Sequence, residues 1–275
     1  MTVPGLLRYE SHGVTLLGDP ACPNGVTLAF SERAGGCSLG DYASLNLSLD
    51  CGDDSDAVES NRERLLAALD ATEFCDRLVN PRQVHGDHIV VVESSDAEQV
   101  ARCCDEARAG ADGVVCTVPG VPVLLCFADC VPLILVQEGG FAVVHSGWRG
   151  TMARIAAKAL RTLSAQTGAS ACKTLAYIGP HIAGGDYEVS SELAERFEVE
   201  FGSTVLVGER HLDLATAVVD TLVGEGVARE SILDCAVSTP RATDRFYSYR
   251  AENGSCGRHG AIAFMRGACE SGVRR

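Results

Sequence analysis

Between Gly113 and His145 four strand-length apolar runs follow one another: Gly113–Cys116, Pro122–Ala128, Pro132–Gln137 and Phe141–His145. No helical periodicity separates them. Runs that are apolar at nearly every position belong to strands buried on both faces. Four in succession also break the strand–helix–strand alternation of a doubly wound nucleotide-binding fold. The most hydrophobic part, Gly113–Gln137, is cut by three prolines and Asp129. It reads as buried β-structure, not as a membrane span.

The same periodicity predicts strands at Val26–Phe30, His88–Glu93, Thr174–Ile178, Thr204–Val207, Ile232–Val237 and Ala261–Met265. Helices are predicted at Val58–Ala71, Asp96–Ala109, Met152–Gln166, Ser191–Phe201 and Leu214–Gly224. Ser95, with Glu98 three residues on, reads as a capping box for the second of these. No long linker, repeat or low-complexity tract divides the 275 residues. The expected fold is α+β: a single domain, 1–275, of mixed β-sheets flanked by helices in a layered sandwich.

With 37 acidic against 23 basic residues the net charge is −14. A phosphate backbone is repelled by such a surface, so nucleic-acid and membrane partners are not expected. Thirteen cysteines are present. The N-terminus, MTVPGLLRYESHG, lacks a charged start followed by an apolar run, so a cytoplasmic location with reduced thiols is expected. Most of those thiols, Cys104, Cys116 and Cys126 among them, then act as small buried hydrophobes.

Three segments carry candidate chemistry: QVHG around His85, FADCVP around Asp129 and Cys130, and VVHSGWRG around His145 and Arg149. The runs Pro132–Gln137 and Phe141–His145 are joined by Glu138-Gly139-Gly140, a hairpin-type connection. Antiparallel pairing brings Cys130 and His145 to one end of that hairpin, and His85 arrives from another strand end. Two imidazoles and a thiolate leave a fourth metal position open, the pattern of catalytic zinc. The same geometry serves Cys130 as a nucleophile with either histidine as its base. The motifs G-x-x-x-x-G-K-[ST], H-E-x-x-H and G-x-S-x-G are absent.

The segments FSERAGGCSLGDYASLNLS, GDDSDAVESNRERL, NPRQVHGD, ADGVVC, ADCVPLIL, VVHSGWRGT, YIGPHIAGGDYEV and FYSYRAENGSCGRHGAIAF stand in this order along the chain. Together they resemble the laccase-domain family. That family is also called the peptidoglycan editing factor or multicopper polyphenol oxidase family, and its members are described as purine nucleoside phosphorylases. The resemblance runs nearly end to end. It implies zinc (Zn2+, copper being less favoured) on His85, Cys130 and His145. It also implies phosphorolysis of adenosine, inosine and methylthioadenosine, with deamination of adenosine. Its partners are then a small nucleoside and phosphate; nothing in the chain sets an oligomeric state. Three residues depart from the family pattern: Ser146 stands for alanine, and Cys256 and His259 stand for threonine and methionine.

Phosphate requires cations beyond the metal, and the planar fork of arginine suits it. Arg62 in ESNRERL and Arg149 in SGWRG are the candidates, with Asn46 in SLNLS as a ribose or phosphate ligand. Asp129 is expected either to orient a metal histidine or to act as general acid/base. Tyr249 and Arg250 are candidates for base stacking or anion contact, and His181 for a place in the pocket. The competing readings are a cysteine hydrolase or amidase editing a peptidoglycan precursor, a copper polyphenol oxidase, and a non-catalytic zinc module with Cys126 as fourth ligand. Seven histidines with no H-x-H pair are few for multicopper chemistry.

Overall fold

The computed structural model describes residues 3–267. In chain order its strands and helices are β1 Leu7–Ser11, β2 Val14–Gly18, β3 Val26–Ser31, α1 Ser55–Ala68, β4 Ile89–Val92, α2 Ala97–Gly110, β5 Gly113–Cys116, β6 Val123–Phe127, β7 Val131–Gln137, β8 Gly140–Ser146, α3 Trp148–Met152, α4 Ile155–Thr167, β9 Leu175–Ile178, α5 Ser191–Phe201, β10 Leu206–Val207, β11 His211–Leu212, α6 Leu214–Gly224, β12 Ile232–Asp234 and β13 His259–Met265. Two large sheets result. One is antiparallel, ordered β1-β2-β3-β13-β6. The other is mixed, ordered β12-β9-β7-β8-β5-β4, with β12/β9 and β5/β4 as its parallel pairs.

The all-apolar runs follow from burial on two sides. Along β7, Ile134 and Val136 face the layer between the sheets, where they meet Leu28 and Phe30 of β3. Leu133 and Leu135 face the opposite way, onto Leu160 and Leu163 of α4 and Val218 and Leu222 of α6. The antiparallel sheet repeats the arrangement. Ala261 and Ala263 of β13 turn inward, while Ile262 and Phe264 meet Leu65 and Leu66 of α1. Side chains alternate at period two, so a strand sandwiched on both faces is apolar at nearly every position. The molecule is therefore helix, sheet, sheet, helix, an α+β sandwich as expected. Among the described residues no helix is long and apolar enough to cross a membrane.

Several local expectations change. The predicted helix Met152–Gln166 is two helices, α3 and α4, because Arg154 adopts a left-handed φ of 54° between them. The cap of α2 is Asp96, not Ser95: its carboxylate accepts from the backbone N–H of Glu98 and Gln99. The β1–β2 hairpin, absent from the sequence reading, turns on His12-Gly13, both at positive φ. Its outer strand is largely solvent-exposed and so lacks an apolar signal. The segments after Thr204 and Ile232 form strands only at Leu206–Val207 and Ile232–Asp234.

His259 is a polar residue inside the inter-sheet layer. It has no exposed surface and packs on Phe127 and Phe246, with ring centroids 6.4 and 5.2 Å away. Neither ring nitrogen has a well-formed hydrogen bond, and the Pro180 backbone offsets burial only in part. Burial therefore pushes its pKa down, to about 3. The unfolded chain takes up this proton near pH 6.5 and the folded chain does not, so stability falls as pH drops from about 6.5 toward 3. This one group contributes a slope of about 1.4 kcal/mol per pH unit in that window. His259→Met is expected to flatten the acid limb of stability against pH by that amount, measured by urea unfolding at successive pH values.

Candidate metal centre and its pocket

Strand β6 belongs to the antiparallel sheet and β7 to the mixed one, so Ala128-Asp129-Cys130 is the point where the chain passes between sheets. Asp129 makes the turn at φ 90°. Cys130 then sits just before β7, and the β7–β8 hairpin sets Pro132 opposite His145. This is the antiparallel pairing expected, closed by the shorter turn Glu138-Gly139. His85 comes from the loop before β4, also in left-handed conformation at φ 59°. The donor atoms of His85, Cys130 and His145 lie within 4.8 Å of one another, and among the described residues they are the one such group able to hold a metal ion.

Asp112, fully buried at the start of β5, organises two of the three. Its carboxylate accepts from the backbone N–H of His85 at 3.0 Å, of Gly86 at 2.6 Å and of Val84 at 3.3 Å. It also bonds His145 Nδ1 at 2.7 Å, while its own carbonyl accepts from the His145 N–H. The bond to Nδ1 leaves Nε2 as the free nitrogen of His145. Burial alone would raise the Asp112 pKa, but His145 and the backbone donors outweigh it and hold the carboxyl below its usual range. Gln83 ties the same loop to the other sheet, pairing its amide with both the N–H and the carbonyl of Cys126 at 2.8 Å.

Burial would likewise raise the Cys130 thiol, yet His145 and His85 bring it down to about 6. His145, lowered by burial, is lifted to about 9 by Cys130 and Asp112. The pair is a thiolate beside an imidazolium, already charged as a ligand set requires on the sulfur side. Space for an ion is provided as well. A Cβ on Gly147 would stand 3.1 Å from His85 Cδ2 and 3.2 Å from Cys130 Sγ. Gly147 has an ordinary negative φ of −79°, so its lack of a side chain serves the site and not the backbone. Two nitrogens and a sulfur in a cradle of this size fit zinc.

The trio floors a pocket of about 540 Å³ whose upper walls carry Trp148, Arg149, Tyr187, Tyr249, Arg250 and Arg258. Each arginine lies over an aromatic ring: Arg149 over Trp148 at 4.6 Å, Arg250 over Tyr187 at 5.2 Å, Arg258 over Tyr249 at 5.7 Å. Two acids also line it. Asp50 is paired with Arg108, and Asp129 accepts from Thr239 Oγ1 and the Arg250 N–H. An acidic chain thus has a cation-rich recess at this point.

Other expected residues are placed elsewhere. The Arg62 guanidinium is committed to the Leu47 carbonyl and Asn80 Oδ1, and burial lowers its pKa. Asn46 is fully buried, bonding Asp53, the Ser48 carbonyl and the Arg258 N–H. Neither lines the pocket; both build the loop beneath Arg258. His181 is buried with Nδ1 donating to the Gly179 carbonyl, so it too stands apart. Cys126 is not part of the ligand group: the turn at Asp129 breaks the strand that would have aligned it with Cys130, and its thiol accepts from Asn80 at 3.8 Å. Asp112, Gln83 and Gly147 escaped the sequence reading. For Asp112 the one signal was a charged residue set just ahead of an apolar run, in ADGVVC; Gln83 and Gly147 carried none of their own.

Asp112→Asn removes the charge that fixes the His85 turn and the His145 ring. It is expected to weaken zinc affinity roughly 10- to 100-fold, read by competition with a chelating dye, with the far-ultraviolet circular dichroism unchanged. Gly147→Ala is expected to reduce zinc uptake through the two close approaches above, in the same assay.

The sequence profile of the family described as multi-copper polyphenol oxidoreductase laccase matches residues 27–266. A protein of Deinococcus radiodurans named purine nucleoside phosphorylase is 36% identical over 268 residues, covering 95% of this chain and 94% of that protein. A protein from an unknown prokaryotic organism, named adenosine deaminase RL5, is 34% identical over 76% of this chain and 82% of its own length. Among solved structures, YlmD from Geobacillus stearothermophilus superposes with a TM-score of 0.81 at 28% identity, over 96% of this chain and all of that one. The Bacillus licheniformis hypothetical protein YfiH gives a TM-score of 0.83 at 26% identity, over 91% and 96% of the two chains. The chain belongs to the multi-copper polyphenol oxidoreductase laccase family.

Proposed function

We propose that this protein is a zinc-dependent purine nucleoside phosphorylase acting on adenosine, inosine and methylthioadenosine, with adenosine deamination as a second activity. One observation carries the reading: a three-ligand nitrogen–sulfur group lies at the floor of a pocket walled by arginines and aromatics. His85, Cys130 and His145 would hold the zinc, which supplies Lewis acidity at the pocket floor. The names of the relatives, a phosphorylase and a deaminase, support the same substrate class.

The remaining work falls to the chain's own side chains. Trp148, Tyr187 and Tyr249 offer flat faces to a purine. Among the described residues Arg149 has no acidic partner, which leaves its fork for an anion, as phosphate recognition requires. Arg258 spends Nη1 on the Cys256 and Gly257 carbonyls and keeps Nε and Nη2 for the pocket it lines. Holding phosphate and nucleoside together converts a bimolecular encounter into a positioned one. Multicopper oxidation is poorly served, because four-electron chemistry needs several metal groups and the described residues offer one.

A second reading rests on a separate observation. Cys130, His145 and Asp112 form a thiolate, an imidazole and an orienting carboxylate, the ordering of a cysteine hydrolase. The two readings separate on metal dependence.

Incubation of zinc-loaded protein with adenosine, with and without phosphate, is expected to release free purine base only when phosphate is present, as read by product chromatography. Inosine is expected in both arms. Cys130→Ala is expected to abolish both products, and Arg149→Ala to raise the phosphate KM by roughly tenfold, the loss of one charge-assisted contact. Activity that survives zinc removal by a chelator would transfer the assignment to the hydrolase.

A further inference from the structure

We propose that Asp129 is a positioning residue: it latches the segment Tyr247–Arg258 across the pocket, and that segment, through Tyr249 and Arg250, grips the nucleoside. The identity of the gripped molecule rests on the nucleoside reading above; the latch itself does not.

Asp129 draws three separate stretches of chain to the turn that carries Cys130. Its Oδ2 accepts from the Arg250 backbone N–H at 2.7 Å, its Oδ1 from Thr239 Oγ1 at 2.6 Å, and its carbonyl from the Ile182 N–H at 2.9 Å. Both carboxylate oxygens are thereby occupied by protein donors, and neither contacts a histidine of the trio. A carboxylate so engaged serves as an anchor. A non-glycine residue at φ 90° is a costly way to make a turn. An aspartate at this turn fastens the segment that passes overhead.

The fastened segment has rigid ends and an open tip. Tyr247, Ser248 and Cys256 are buried, whereas Tyr249 is 56% exposed. The tip is a tight turn: the Glu252 N–H donates to the Ser248 carbonyl and the Gly254 N–H to the Tyr249 carbonyl. Glu252 braces the turn from outside on Arg33, and the Arg250 guanidinium reaches across to the Glu188 carbonyl. Between the tip and the metal side of the pocket, the direct tie is the Asp129–Arg250 bond. An exposed tyrosine and an arginine thus form a wall over the recess, braced on Glu188 and Arg33 at its outer side and tied to the metal side by the Asp129 bond.

Asp129→Gly tests this without strain, because glycine accepts φ 90° freely while both side-chain bonds disappear. Asp129→Asn keeps an acceptor for Arg250 and a donor for Thr239, and serves as the conservative rescue. In the zinc-loaded protein, amide hydrogen exchange across residues 247–254 is expected to quicken roughly 10- to 100-fold in the glycine variant, the cost of leaving the Arg250 N–H without its acceptor, and to stay near wild type in the asparagine variant, which keeps that acceptor. Zinc content is expected to be unchanged in both. With adenosine, the glycine variant is expected to raise KM over the same range with kcat within a few-fold, and the asparagine variant to behave as wild type. Loss of kcat in the asparagine variant as severe as in the glycine variant would make the carboxylate a proton donor and overturn the latch. Unchanged exchange in the glycine variant would overturn it as well, as would faster exchange with an unchanged KM. Should wild-type protein leave adenosine intact, the nucleoside reading fails on its own, and the exchange arm still decides the latch. Should the glycine variant fail to fold, the asparagine variant still decides: a large loss of kcat there with exchange unchanged overturns the latch.

Discussion

A single buried carboxylate holds the centre of this structure in order. Asp112 has no solvent to neutralise it, so its charge must be met by donors. The fold provides three consecutive backbone N–H groups from the Val84–Gly86 turn and one imidazole from β8. Desolvating a carboxylate is expensive unless every lone pair is satisfied, which makes this arrangement all or nothing. The left-handed conformation of His85 and the ring orientation of His145 both follow from it. The third ligand, Cys130, is fixed independently by the passage of the chain from one sheet to the other.

The long apolar runs made the layered core legible from sequence, since only strands covered on both faces can be apolar at every position. The Pro132–His145 hairpin was legible for the same reason, with a glycine pair to close it, and it carried Cys130 and His145 to one place. His85 was reachable as a histidine ahead of a strand. Helices α5 and α6 emerge with the boundaries their periodicity predicts.

What stayed hidden depends on contacts between residues far apart in the chain. The bond between Asp112 and the 84–86 turn spans more than twenty residues and has no periodic signature. Gly147 looks like any glycine after a strand until the neighbours of its missing side chain are known. Arg62 and Asn46 illustrate the converse. Both sit in segments that resemble the family and carry groups suited to phosphate or ribose, yet their hydrogen bonds are spent on the Leu45–Ser48 loop and on Asn80. Residue type and motif show that a side chain matters; its partners show for what.

The tie from Gln83 to Cys126 has a mechanical reading. The loop bearing His85 is stitched through Gln83 to the antiparallel sheet and through Asp112 to the mixed sheet, while Cys130 begins the strand that leaves one for the other. The three donor residues thus sit on a seam between layers, and whatever occupies them acts as a rivet through the sandwich. Slippage of one sheet over the other would part the donors before it parted the core. A centre built in this way registers the spacing of the whole stack.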